Sequence, residues 1–348
     1  MSKFSQVVAT QNNRVTFIDA ARGLFIFWML AAHTLTLADV PADHFLQVLR
    51  PAGWSTLNFI MLTGFSLAIF YSTSSSLKQG TQGKLLRRAL QVGVIALVSN
   101  FFFVILRYIA GGNLDASALF QILSLQTPWT ISAVLLPTAI VLCASPFLLR
   151  TLFRIGPLPF FSLATVLVLL LECTVQYHVS SFRDVSWFSA CFETDNAYFG
   201  GFPVIKMATF AIWSFGLGSL IRIVPVTKVT TVLGALSLFL IALPWHLPFF
   251  VVSAARFGLS VGGVALADGL KSIRGLLYPF RLLGRSSLLI FFLHRVLAQI
   301  GRPLLGVKLE SGALGAILML VTLGFCILAC YVRESNLRID TQLKRIGL

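Results

Sequence analysis

The sequence predicts an all-α polytopic membrane protein of about ten transmembrane helices, N- and C-termini cytoplasmic. Three observations carry that prediction. Of 348 residues, 57% are hydrophobic and only 11% charged, against about 25% charged in a soluble domain. Apolar runs long enough to span a bilayer recur along the chain, each bounded by charge or by Pro and Gly. With the N-terminus taken as cytoplasmic, Lys and Arg number 18 in the inner segments and 4 in the outer loops, the bias that orients membrane proteins. The same bias accounts for the net charge of +15 without nucleic acid, since no basic, aromatic-interleaved domain lies outside the spans. A soluble enzyme, a disordered chain and a secreted disulfide scaffold are excluded by composition.

The spans follow in order. The first, 16–38, begins after Arg14; its apolar run is too long for a cleaved signal and no A-x-A site ends it. Lys78, Lys84, Arg87 and Arg88 separate 52–71 from 89–109, and Arg150 and Arg154 separate 129–149 from 157–176. A polar, aromatic outer loop, about 177–201, leads to 202–221. Arg222 and Lys228 then precede 230–246, which turns tightly through Pro244 and Pro248 into 248–267. Lys271, Arg274, Arg281 and Arg285 precede 286–301, and 311–332 closes the series before a basic tail. Residues 1–348 read as a single integral-membrane domain. No internal repeat is visible, and inverted repeats are common in transporters. Cys143, Cys173, Cys326 and Cys330 fall in apolar spans and read as packing residues; Cys173 and Cys191 are placed to pair on the outer side.

Ionisable residues inside a membrane are costly and mark function by default. Here they are Asp19, Arg22, His33, Arg107, Glu172, Lys206, Arg256, His294 and Arg295, with Asp268 at an inner edge. Asp19 and Arg22 are three apart and share a helix face. His33 lies eleven residues after Arg22, close to three turns, hence on the same face and roughly 17 Å further along. His294 falls near mid-depth of its span. An imidazole there abstracts a hydroxyl proton near neutral pH, or else packs and hydrogen-bonds between helices. Glu172 and Arg256 are expected to form an ion pair in the outer half, structural or functional. Arg107 and Lys206 snorkel toward their span ends or hold an anionic group. Phosphate-loop and HExxH signatures are absent, as are metal-ligand clusters.

Three stretches resemble the membrane acyltransferases of the acyltransferase-3 superfamily, OpgC type. They are Phe17-Ile-Asp19-Ala-Ala-Arg22-Gly23 with His33, Leu57 through Thr63-Gly64-Phe65, and Leu283-Gly284 through Ser287 to His294. Thr63 stands where that group has Ser. Leu125-Gln-Thr-Pro128-Trp129 with Leu136-Pro137 is a weaker match. The group's Asn-Pro…Trp-Gln stretch is replaced by Phe202-Pro203-Val204-Ile205-Lys206, and the opening is also similar to the heparan-glucosaminide N-acetyltransferase type.

The resemblance implies an acyltransferase of the inner (cytoplasmic) membrane. An acyl group, succinyl or acetyl, would pass from cytoplasmic acyl-CoA to a hydroxyl of an extracytoplasmic glycan, with no metal. Membrane lipid and the glycan acceptor would be the partners; nucleic acid is not expected. Arg22, Arg87, Arg88 and Arg285, with Lys84 or Arg281, would hold the donor's phosphates, because guanidinium groups bind phosphate bidentately. His33 would be the general base or take the acyl group itself. His294 would be a second base or position the acceptor, and Asp19 would orient Arg22. The alternatives are a transporter or flippase for a glycan, a lipid-linked sugar or an anionic cargo, and a non-catalytic membrane scaffold.

Overall fold

The computed structural model describes residues 16–37, 54–72, 79–109, 132–182, 204–221, 234, 249–270, 274–304 and 312–336. Within them the chain is almost entirely helical and holds no strand. The helices are α1 (Thr16–Leu37), α2 (Trp54–Tyr71), α3 (Gln79–Ile109), α4 (Ser132–Ile155), α5 (Pro157–Phe182) and α6 (Val204–Ile221). They are followed by α7 (Phe249–Gly269), α8 (Tyr278–Arg285), α9 (Ser287–Leu304) and α10 (Gly312–Ser335), with a 3₁₀ turn at Arg274–Leu277 leading into α8. Six of these are long and apolar enough to cross a membrane, or seven if α8 and α9 form one bent span. The apolar parts of α2 and α5 are shorter. This fits an all-α polytopic membrane protein. The expected span 230–246, apart from residue 234, and both termini lie outside the described residues.

Lipid-facing and core-facing sides separate cleanly on α3. Leu86, Leu90, Val94 and Val98 form an exposed stripe at helical spacing, while Leu85, Ala89, Val92 and Ala96 are buried. A continuous exposed apolar stripe of this kind suits contact with lipid tails. α3 starts ten residues before the expected 89, so Lys84, Arg87 and Arg88 are helical. Cations do not end a helix, because their long stems carry the charge outward while the backbone bonding continues. α4 keeps two prolines in its interior, Pro137 and Pro146. Pro146 cannot donate to the Leu142 carbonyl; the Ser145 hydroxyl does so instead, at 2.6 Å.

α1 is the hub. It packs against α2, α7, α8, α9 and α10, and Ile18, Ala20, Ala21, Phe25, Ile26 and Leu30 on it are all but fully buried. The expected span 286–301 is matched by α9 to within a few residues; the unexpected element is α8, a helix in the preceding inner segment, which meets α9 at Ser286 with a bend of 78°. The turn is held by Ser286 N donating to Leu283 O at 3.2 Å, and α9 restarts with Ile290 N donating to Ser286 O at 3.0 Å. Glycine lets α8 lie directly on α1. A Cβ at Gly284 would come 1.8 Å from the Asp19 carbonyl oxygen, and one at Gly23 equally close to that of Phe280. Small residues at a helix crossing permit such backbone approach. Gly64 of α2 meets the Ala211 carbonyl of α6 in the same way, and Ser214 seals that crossing by donating to Met61 O at 2.5 Å.

Candidate active site

The close crossing of α1 and α8 gathers charge. Asp19, only 5% exposed, faces two guanidinium groups, Arg22 at 3.8 Å and Arg285 at 3.7 Å. Arg285 also donates to Glu334 on α10 at 3.2 Å. A second knot ties the neighbouring helix ends. Arg281 pairs with Asp268, which also accepts from Thr16 Oγ1 at 2.5 Å. Buried charges need such partners.

Above the first knot lies a cavity of about 250 Å³ between α1, α2, α3, α4 and α9. Arg22, Lys84 and Arg88 are among the residues that line it. Thr63, Ser66, Thr138 and Ser287 add hydroxyls, and Phe59, Leu288 and Phe291 are apolar lining. α2 supplies Phe59, Thr63, Ser66 and Phe70 at spacings of four, three and four, a single helical face. Thr63 and Ser66 return their hydroxyl protons to the helix, donating to Phe59 O and Leu62 O. Their oxygens thus keep acceptor capacity toward the cavity.

Next along α1 and α9 is the histidine pair. His33 Nδ1 and His294 Nε2 are 2.9 Å apart. The ring planes differ by 3° with centroids at 5.2 Å. That separation is close to the nitrogen–nitrogen distance plus the two ring radii, so the rings lie edge to edge in one plane and share an in-plane hydrogen bond. His294 Nδ1 lies 2.7 Å from the Ile290 carbonyl oxygen, which only accepts. Nδ1 of His294 therefore carries a proton. In the neutral pair its Nε2 accepts, so His33 Nδ1 donates and the lone pair of His33 falls on Nε2. His294 is buried, at 1% exposed, and His33 is partly exposed. The inner imidazole thus orients the outer one, the arrangement of a positioned general base.

The sequence-predicted residues sort accordingly. His33 and His294 are joined directly, and Arg22 and Arg88 line the cavity. Arg87 is exposed and is not part of the lining. Arg285, expected at the donor phosphates, is held by Asp19 and Glu334; Arg281 is likewise engaged by Asp268. Carboxylates on facing helices attract these cations, and no spacing in the sequence discloses that. Asp19 stands with the cations, fourteen residues before His33 on α1, so its geometry is that of a positioning residue and not of a catalytic one. Lys84, expected beside the arginines, lines the cavity as well; Phe59, Phe291 and Glu334 become visible only in three dimensions. Among the described residues, no three His, Cys, Asp or Glu side chains come together as a metal site.

Glu172 departs from expectation. Its carboxylate lies 3.9 Å from Lys206 Nζ and accepts from Phe250 N at 2.7 Å; Arg256 is not the cation it faces. Lys206 also sits over the Phe249 ring, 4.8 Å from its centroid. Replacing Lys206 with methionine should destabilise the protein by up to about 3–5 kcal/mol, the cost of breaking a buried pair. Adding Glu172→Gln should recover much of the loss, and thermal unfolding in detergent reads both. Equal melting of the single variant and wild type would show that the pair holds nothing. The side chains of Arg107 and Arg295, and Cys191, lie outside the described residues.

Scanned against family models, characterised proteins and solved structures, the chain matches none of them.

Proposed function

We propose that this protein is a membrane O-acyltransferase. It moves a succinyl or acetyl group from cytoplasmic acyl-CoA to a hydroxyl of a glycan on the far side of the inner membrane. One observation supports this most: a cation-lined cavity and a coupled histidine pair lie in succession along the same two helices. Arg22 precedes His33 by three turns of α1, and Leu288 precedes His294 by six residues of α9. The resemblance of the three motif stretches to the acyltransferase-3 superfamily, OpgC type, points the same way.

In this mechanism Arg22, Lys84 and Arg88 hold the donor's phosphates, with Asp19 fixing the Arg22 fork. The thioester extends toward the histidines. His33 Nε2 takes the proton of the acceptor hydroxyl as its oxygen attacks the thioester carbonyl. The carbon–sulfur bond breaks, the ester forms, and the thiolate leaves with the proton that His33 returns. His294 keeps the base in the required tautomer throughout. The transport alternative drew on Lys206 as a cargo site, and its pairing with Glu172 removes part of that support.

The test uses purified protein in detergent with labelled acetyl- and succinyl-CoA and glycan extract. Thioester loss and label transfer are followed for wild type and for His33→Ala. Turnover that disappears in the variant supports the proposal; no donor binding and no thioester loss in wild type overturns it. Arg22→Ala should weaken donor binding about 10–150-fold, the loss of one or two charged hydrogen bonds at about 1.5–3 kcal/mol. Arg87→Ala should leave it unchanged. Titration with unreactive CoA reads both, and equal affinities would remove Arg22 from the donor site.

A further inference from the structure

The cavity and the histidine pair do not meet. Phe291 of α9 falls between them along the helix: it lines the cavity with Leu288, one turn before it, and His294 follows three residues later. Phe59 of α2 meets Phe291 edge to face with centroids at 4.6 Å. Both rings are buried, at 7% and 2% exposed, although both also line the cavity. The Phe291 ring is in turn 6.4 Å from the His294 ring. Cavity, aromatic pair and imidazole pair thus form a series.

We propose that Phe59 and Phe291 are the barrier between the donor cavity and the histidines, and that they set the size of acyl group able to reach His33. The acyl-size role rests on the acyl-CoA reading above; the barrier itself does not. An edge-to-face ring pair is rigid, with two torsions per side chain and an interlocked geometry. It opens by rotation of a whole ring and admits a short acyl group through a small displacement. A long chain needs both rings moved. Buried aromatic faces also keep water in the cationic cavity away from the base, so that an acceptor hydroxyl, and not water, is the nucleophile.

Two measurements separate the barrier from the donor reading. The first is independent of turnover. In the His294→Cys variant, a charged, water-soluble methanethiosulfonate is applied to the purified protein. Labelling is read by mass spectrometry on the peptide carrying position 294, so the native cysteines need no change. Adding Phe291→Ala or Phe59→Ala should speed labelling about tenfold or more; an unchanged rate overturns the barrier. The second keeps both histidines and compares acetyl- with octanoyl-CoA. Phe291→Ala and the milder Phe291→Leu should raise the octanoyl-to-acetyl ratio of thioester turnover about tenfold or more, within the range by which pockets discriminate added methylenes. An unchanged ratio in variants that remain monodisperse on size exclusion overturns the acyl-size role. Faster labelling with no thioester turnover by wild type overturns the donor reading and the acyl-size role, and leaves the barrier standing.

Discussion

Replacing His33 with alanine is expected to lower acyl transfer by about 10²–10⁴-fold, the contribution of a positioned general base, with thermal unfolding close to wild type. The tautomer chain from Ile290 O through His294 to His33 assigns the reacting lone pair to His33 Nε2. His294 then acts through His33, so His294→Ala should cost less than His33→Ala. The double variant should lose little more than His33→Ala alone, because groups acting as a unit are strongly non-additive. Single-turnover transfer from labelled acyl-CoA measures all three. If the two single losses multiplied in the double variant, the histidines would be acting separately and the relay would be wrong. Full activity in His33→Ala would sink the catalytic assignment itself.

The largest expected effect on stability comes from one added methyl group. Gly284→Ala would place a Cβ 1.8 Å from the Asp19 carbonyl oxygen, well inside contact distance and against backbone, which cannot rotate away. Overpacking in a close-packed interior typically costs about 1–3 kcal/mol and occasionally more. A backbone obstacle belongs at or beyond the top of that range. The shift would also separate Arg285 from Asp19, uncoupling the charge knot beside the cavity. Gly23→Ala should behave similarly, because its Cβ meets Phe280 O at the same distance. Gly263→Ala and Gly324→Ala are the controls, since nothing lies within 4 Å of a Cβ there. Detergent melts followed by circular dichroism should show the first two unfolding far below wild type and the controls unmoved. A wild-type melt for Gly284→Ala would mean that α8 does not lie on α1 as described.

The glycines also explain what the motif stretches are for physically. Arg22-Gly23, Thr63-Gly64 and Leu283-Gly284 were singled out as sequence patterns. Each proves to contain a helix-crossing glycine at which another backbone comes too close for any side chain. The adjacent residues are then the ones carried into the centre: Arg22 and Thr63 to the cavity, Arg285 to Asp19. A pattern read as chemistry is therefore partly a pattern of packing.

By itself the sequence determined the helical membrane class, because apolar runs and the scarcity of charge are properties of composition that no folding detail alters. It determined the face shared by Asp19, Arg22 and His33, because helical periodicity follows from the backbone alone. It located most helices to within a few residues, failing at α3, where cations left the helix intact, and at α8, a helix folded from the cationic segment expected to link two spans. Only the tertiary structure decided which groups meet. His33 and His294 are 261 positions apart; Lys206, not Arg256, faces Glu172; Arg285 serves a carboxylate pair. Those choices depend on how helices cross. Crossing is set by where small residues let backbones approach, and by the requirement that each buried charge find a partner on whatever helix lies opposite. Neither depends on distance along the chain, which is why spacing could not disclose them.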